Sequence, residues 1–205
     1  MNILDRWLGL TGRLSRYGVW FGGALVLASA FLVAFDVIVR KLFVFTIGGA
    51  DELSGYAFAI GTTWALAFTL LQRANVRVDA LYIRLPAALQ AVLDLVALLA
   101  LGFFVGLLTW QAWAVLETSL AFDARATTPL QTPLWMPQSL WLAGLVLFAF
   151  TWLPLLLRAL LALLTGDLAT VRRLAGARTI EEDAAAEASH TAHLRERGAG
   201  AANGG

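Results

Sequence analysis

The sequence predicts an all-α integral membrane protein with four transmembrane helices and an amphipathic interfacial helix between the second and the third. Of 205 residues, 60% are hydrophobic and 14% charged, where a soluble globular chain holds roughly 45–50% apolar and about 25% charged residues. Mean hydropathy is +0.74. The apolar residues fall into long blocks separated by short polar ones, and each block reaches the ~20 residues needed to cross a hydrocarbon layer about 30 Å thick. A chain of this size and composition has more apolar surface than a water-soluble fold can bury.

Residues 1–16 carry Arg6, Arg13 and Arg16 and read as a cytoplasmic N-terminal segment. A four-helix membrane domain over 17–165 follows. Its first span, about 17–39, outruns the 7–15-residue apolar region of a typical signal peptide, so it reads as uncleaved despite the cleavage-like Ala28-Ser29-Ala30. It stops at Arg40-Lys41. The second span, about 50–72, opens with Asp51 and Glu52, whose carboxylates suit the positive end of a helix dipole, and closes before Arg73.

The arm at about 73–85, RANVRVDALYIRL, sets Val78, Leu81, Tyr82 and Leu85 on one helical face, with Arg73, Arg77 and Arg84 away from it. That pattern fits an interfacial helix whose arginines meet lipid phosphates; an ordinary basic loop is the competing reading. The third span, about 86–116, starts at Pro86, which is tolerated in a first helical turn, and exceeds one bilayer thickness, so it must tilt or protrude. Pro129, Pro133 and Pro137 predict an extended, stiff stretch over 128–136, with Trp135 and Trp141 at the membrane–water boundary. In the fourth span, about 137–164, the missing N–H of Pro154 predicts a kink or break. Residues 166–205 read as a partly disordered cytoplasmic tail, with capping-box spacing at Thr179-Ile180-Glu181-Glu182 that allows a short helix.

Arginines flank the spans unevenly. The N-terminus, the arm and the stretch after the fourth span (Arg158, Arg172, Arg173, Arg178) are basic, against Arg40, Lys41 and Arg125 in the opposite loops. Basic residues in short loops stay on the cytoplasmic side, so both termini are expected there.

Enzymatic readings lack residues. There is no cysteine, and the two histidines, His190 and His193, stand in the polar tail without a third ligand nearby, so no metal site or cofactor is expected. No phosphate-binding loop, dinucleotide turn or nucleophile elbow occurs, and no nucleic-acid patch is evident. Gly18-xxx-Gly22, Gly102-xxx-Gly106 and the stripe Ala57, Gly61, Ala65 instead allow close helix contact or a partner interface.

Charged residues in or beside spans are functional candidates by default, because burying them in lipid is costly. They are Asp36, Glu52, Asp94 and Glu117. Asp36 stands four residues before Arg40, which a local ion pair explains, and Glu52 and Tyr56 share a face one turn apart. Asp94 stands about two turns into the third span. None is plainly at mid-membrane, where an ion-coupled carrier places opposed carboxylates.

Taken in order, Arg40, the entry ADELSGYAFAIGTTWAL, the arm NVRVDALYIRLP and TPLQTPLWMPQSLW resemble the small membrane subunit of tripartite ATP-independent periplasmic (TRAP) transporters over nearly the whole chain. Members often carry a histidine where this chain has Asn75, whereas Val76, Val78 and Asp79 keep the pattern. The departure argues against a proton-linked role for position 75. The resemblance implies a scaffold in the bacterial inner membrane, beside a large membrane subunit that takes up an organic acid by sodium symport from a periplasmic solute-binding protein. Contacts to partner or lipid would fall on Arg40, Glu52, Tyr56, Arg73, Arg77, Asp79 and Arg84. The alternative is a stand-alone four-helix carrier or a membrane assembly factor.

Overall fold

The chain's computed structural model describes residues 3–43, 48–74, 82, 84–176, 188 and 191. Helix α1 is Ile3–Phe43, α2 Ala50–Leu71, α3 Ala87–Ala121, α4 Trp135–Leu164 and α5 Leu168–Ala175. The first four are long and apolar enough to cross a membrane. Successive long helices run antiparallel, which gives the bundle a Glu52 end and an Asp94 end.

α4 is the centre. Half of its membrane-length stretch is buried inside the protein, against 11% for α1. α2 and α3 flank α4, and α1 packs mainly on α2 with a smaller contact on α4. The main core joins Leu70 of α2, Leu98 and Val105 of α3, and Leu145, Phe148 and Leu155 of α4.

In lipid, where the hydrophobic effect gives no net drive between helices, close backbone approach and interhelical hydrogen bonds hold such a bundle. α1 and α2 cross at paired glycines: a Cβ on Gly22 would stand 2.8 Å from the Gly61 carbonyl oxygen. Gly18 lies against Trp64, and Gly144 of α4 against Thr63 and Trp64. On the other side the Trp152 ring fills the place where Gly102 has no side chain, while nothing faces Gly106. Both tryptophans also tie helices together. Trp64 Nε1 donates to the Leu140 carbonyl at 2.8 Å, and Trp152 Nε1 to that of Leu98 at 2.9 Å.

α1 contains 41 residues, so at 1.5 Å per residue it is about 60 Å long, roughly twice a hydrocarbon core. The arginine-bearing first residues thus belong to the same helix as the first apolar stretch. They also pack: Trp7 meets Phe150 at 6.3 Å between ring centroids, Asp5 pairs with Arg158, and Thr11 and Ser15 are buried. The hydroxyls of Thr11 and Ser15 donate back to carbonyls of their own helix, which satisfies them in a dry setting.

α4 runs through Pro154 to Leu164 without a break. The helix ends at Leu164, capped by Thr165 and followed by Gly166, whose φ of 75° is open to glycine at little cost. Gly166 N–H donates to Leu163 and Asp167 N–H to Ala162, the Schellman pattern that satisfies the last carbonyls. Asp167 then accepts from the Thr170 N–H at 3.0 Å and starts α5. Val171 of α5 is fully buried against Ala91 and Ala162. The start of the stretch expected as a tail is therefore helical and docked on α3 and α4.

Candidate functional site: two carboxylate clasps

Glu52 stands in the first turn of α2, where the helix dipole favours an anion. Its carboxylate accepts from the Tyr56 hydroxyl at 2.8 Å, one turn along, and from the Thr128 hydroxyl, which comes from the loop between α3 and α4. The first contact follows from the i,i+4 spacing; the second was not legible.

That loop is not the extended stretch its prolines predict. Pro129 occupies the second position of a turn closed by Gln131 N–H to Thr128 O at 3.1 Å, a place its fixed φ suits. The chain then folds back, with Ala126 N–H on Thr132 O at 3.0 Å and Leu134 N–H on Ala124 O at 2.9 Å, and enters α4 at Trp135. Arg125 and Pro133 form an antiparallel bridge. The tip rests on the start of α2. Leu130 covers Gly49 so closely that a Cβ there would collide with it, and Pro129 faces Gly48, whose φ is 65°. A hairpin that satisfies its own backbone thus covers the positive end of α2, with Thr128 on the carboxylate.

Arg40 lies at the same end, paired with Asp36 at 3.6 Å. Asp36 is buried and the guanidinium largely exposed. The i,i+4 ion pair expected from the spacing is present.

At the opposite end Asp94 of α3 is fully buried. It accepts from the Tyr82 hydroxyl at 2.7 Å, and Gln90, one turn earlier on the same face, donates through Nε2 to the carbonyls of Tyr82 and Leu85, each at 3.0 Å. α3 therefore grips the chain that enters it by one side chain and two backbone carbonyls. Sequence reading singled out Asp94 and Tyr82 separately, but not the pair; the available signal was Gln90 and Asp94 at i,i+4 on an otherwise apolar helix.

Arg73 follows α2 in a left-handed conformation, φ 53°, with its N–H on Leu70 O at 3.1 Å. Arg84 is exposed in the turn before α3. Arg77 and Asp79, with most of the expected interfacial arm, lie outside the described residues, as does the short helix anticipated at 179–182. The expected contact residues therefore divide between two ends: Arg40, Glu52 and Tyr56 at one, Arg73 and Arg84 at the other, about 30 Å away by the length of α2. Among the described residues no group of three or more His, Cys, Asp or Glu is placed to hold a metal ion.

Residues 29–162 match the family model described as "Tripartite ATP-independent periplasmic transporters, DctQ component". No curated protein and no solved structure matches the chain. The matched stretch covers more than half of the sequence and includes both clasps, all of α2 and α3, α1 from residue 29 onward and α4 up to residue 162.

Proposed function

The chain belongs to the DctQ family of TRAP transporter small membrane subunits, and from this premise we propose that it is a scaffold, with the transport pathway carried by a large membrane subunit. In the cycle envisaged, a periplasmic solute-binding protein delivers an organic acid, a sodium gradient drives its uptake through the large subunit, and this chain broadens the fixed platform on which that subunit moves. Both termini face the cytoplasm, as the arginine distribution favours. Arg40, Glu52 and Tyr56 serve contacts on the periplasmic side. Arg73, Arg77, Asp79 and Arg84 serve lipid or partner contacts on the cytoplasmic side.

The observation that supports this reading best is the use of the carboxylates. Asp5, Asp36, Glu52 and Asp94 are each engaged by a side chain of this same protein, and they stand toward the two ends of the bundle. A carrier that moves ions by itself instead places carboxylates deep and opposed across helices. The bundle centre is packed with leucine, valine and phenylalanine.

Reconstitution in liposomes tests the proposal. With an inward sodium gradient and the cognate binding protein loaded with labelled substrate, the purified chain alone is expected to accumulate nothing, and addition of the large subunit to start uptake. Accumulation by the chain alone would end the scaffold reading. A reporter fused after Gly205 that is active only in the periplasm would reverse the assigned orientation.

A further inference from the structure

An open groove of about 560 Å³ lies between α1 and α2 at the Asp94 end. Its level is fixed by Gly12, which stands beside Leu71, the last residue of α2. The two helices run antiparallel, so Arg13 and Arg16 stand at the depth where α2 stops and the chain continues as Gln72 and Arg73. One to two turns further along α1, Tyr17 and Trp20 line the same groove, as does Phe68 of α2. Tyr17 and Trp20 are 74% and 76% exposed.

Charge sits at the depth where α2 ends, with Leu8 and Gly9 toward the start of α1 and Tyr17, Trp20 and Phe68 toward the bundle centre. Arg13 and Arg16 are three residues apart and share a helix face, so two guanidinium groups crown one groove. Among the described residues neither has a carboxylate partner. Two cations at the rim of an apolar cleft, at the end of a membrane-length helix, lack an anion that the bilayer itself supplies as phosphate. Guanidinium binds phosphate oxygens through paired N–H donors, and Tyr and Trp rings settle at headgroup depth. The aromatic and aliphatic wall below offers an acyl chain a bed between two helices.

We propose that this groove is a binding site for one anionic glycerophospholipid, its phosphate held by Arg13 and Arg16 and an acyl chain laid along Trp20 and Phe68. A zwitterionic lipid would bring its ammonium beside two guanidinium groups, whereas an anionic one brings phosphate without a cation, so the site selects an anionic headgroup. The inference goes beyond the scaffold role and holds in either leaflet, so it does not depend on the orientation assigned above.

The test uses the full chain in detergent, with native mass spectrometry counting the phosphatidylglycerol retained per protein after delipidation and re-addition. The parent is expected to retain one phosphatidylglycerol and little phosphatidylcholine. The R13Q/R16Q variant should weaken retention by roughly ten- to thirtyfold, from two basic side chains at the headgroup surface. K41Q/R125Q, with the same change of charge at the opposite end, should retain it like the parent. If R13Q/R16Q fails to fold, R13K/R16K and the loss of lipid with rising salt in the parent take its place, and a photoactivatable phosphatidylglycerol should label residues 8–20 or 68–72. Undiminished retention by a folded R13Q/R16Q, equal retention of phosphatidylcholine, or labelling elsewhere only would overturn the proposal. So would unchanged lipid with loss of the co-purified large subunit, which would make the groove a protein contact.

Discussion

Each end of the bundle holds a carboxylate that clasps a hydroxyl from an adjoining segment, yet the two clasps differ in burial. Glu52 is half-buried in the first turn of a helix, backed by the helix dipole and covered by a hairpin whose own backbone bonds close it. Asp94 is fully buried two turns inside α3, and the segment it grips is held there by Tyr82 and by carbonyls that Gln90 ties down. A polar group with water at hand loses little when its partner goes, whereas one sealed among apolar neighbours bears the whole desolvation cost. The Glu52 clasp therefore adjusts a loop that is already shaped, and the Asp94 clasp fastens the entry to α3.

Breaking the inner fastening should have the largest effect. Asp94→Ala leaves the Tyr82 hydroxyl without its acceptor and opens space beside it, with an expected loss of about 2–4 kcal/mol. Thermal unfolding in detergent measures this, and trypsin should cut faster after the exposed Arg84. A variant as stable as the parent would show that Asp94 does not hold the entry to α3.

At the other end a smaller loss is expected. Glu52→Gln and Thr128→Val should each cost about 0.5–1.5 kcal/mol, and a double-mutant cycle should return a coupling of about 1 kcal/mol, since they touch. A coupling near zero would mean that the hairpin is held by Leu130 on Gly49 alone. Gly49→Ala, which drives a methyl into Leu130, then becomes the sharper probe, with about 1–3 kcal/mol expected from overpacking.

Arg40→Gln should matter least. The guanidinium is 58% exposed at 3.6 Å from a carboxylate that is only 7% exposed, so water can take its place at the open side and its loss is expected to cost about 0.5–1 kcal/mol, somewhat above a fully exposed i,i+4 pair. A loss as large as that of Asp94→Ala would place Arg40 in a partner contact that the isolated chain does not display.

Much of the architecture is legible in the sequence because it follows from local chemistry. Four apolar blocks give four long helices, since lipid leaves the backbone no hydrogen-bonding partner but itself. Asp51 and Glu52 mark the start of α2, Pro86 that of α3, and the i,i+4 pairs Asp36/Arg40 and Glu52/Tyr56 follow from helix geometry. The close crossing of α1 and α2 is foreshadowed by Gly18, Gly22 and Gly61, whereas Gly102 and Gly106 share one spacing and separate in role, because only Gly102 has a tryptophan opposite. The end of α4 is also written locally, in Gly166, Asp167 and Thr170, which close its last carbonyls and start α5.

Composition and periodicity by themselves determined the class, the number of long helices, and the lack of residues for haem ligation or thiolate chemistry. Tertiary structure alone decided which helix is central, that Thr128 reaches Glu52 across 76 residues, that Tyr82 closes on Asp94, and that Asp5 meets Arg158. The division has one physical cause. Helix formation and capping depend on neighbours within about four residues, which a sequence displays directly. Contacts between helices depend on rotation and depth of rigid rods about 30–60 Å long, for which a run of leucine and alanine carries almost no register. The proline loop shows the two regimes together: Pro129 fixed a turn locally, and only the docking of that turn on Gly48 and Gly49 made it part of a clasp.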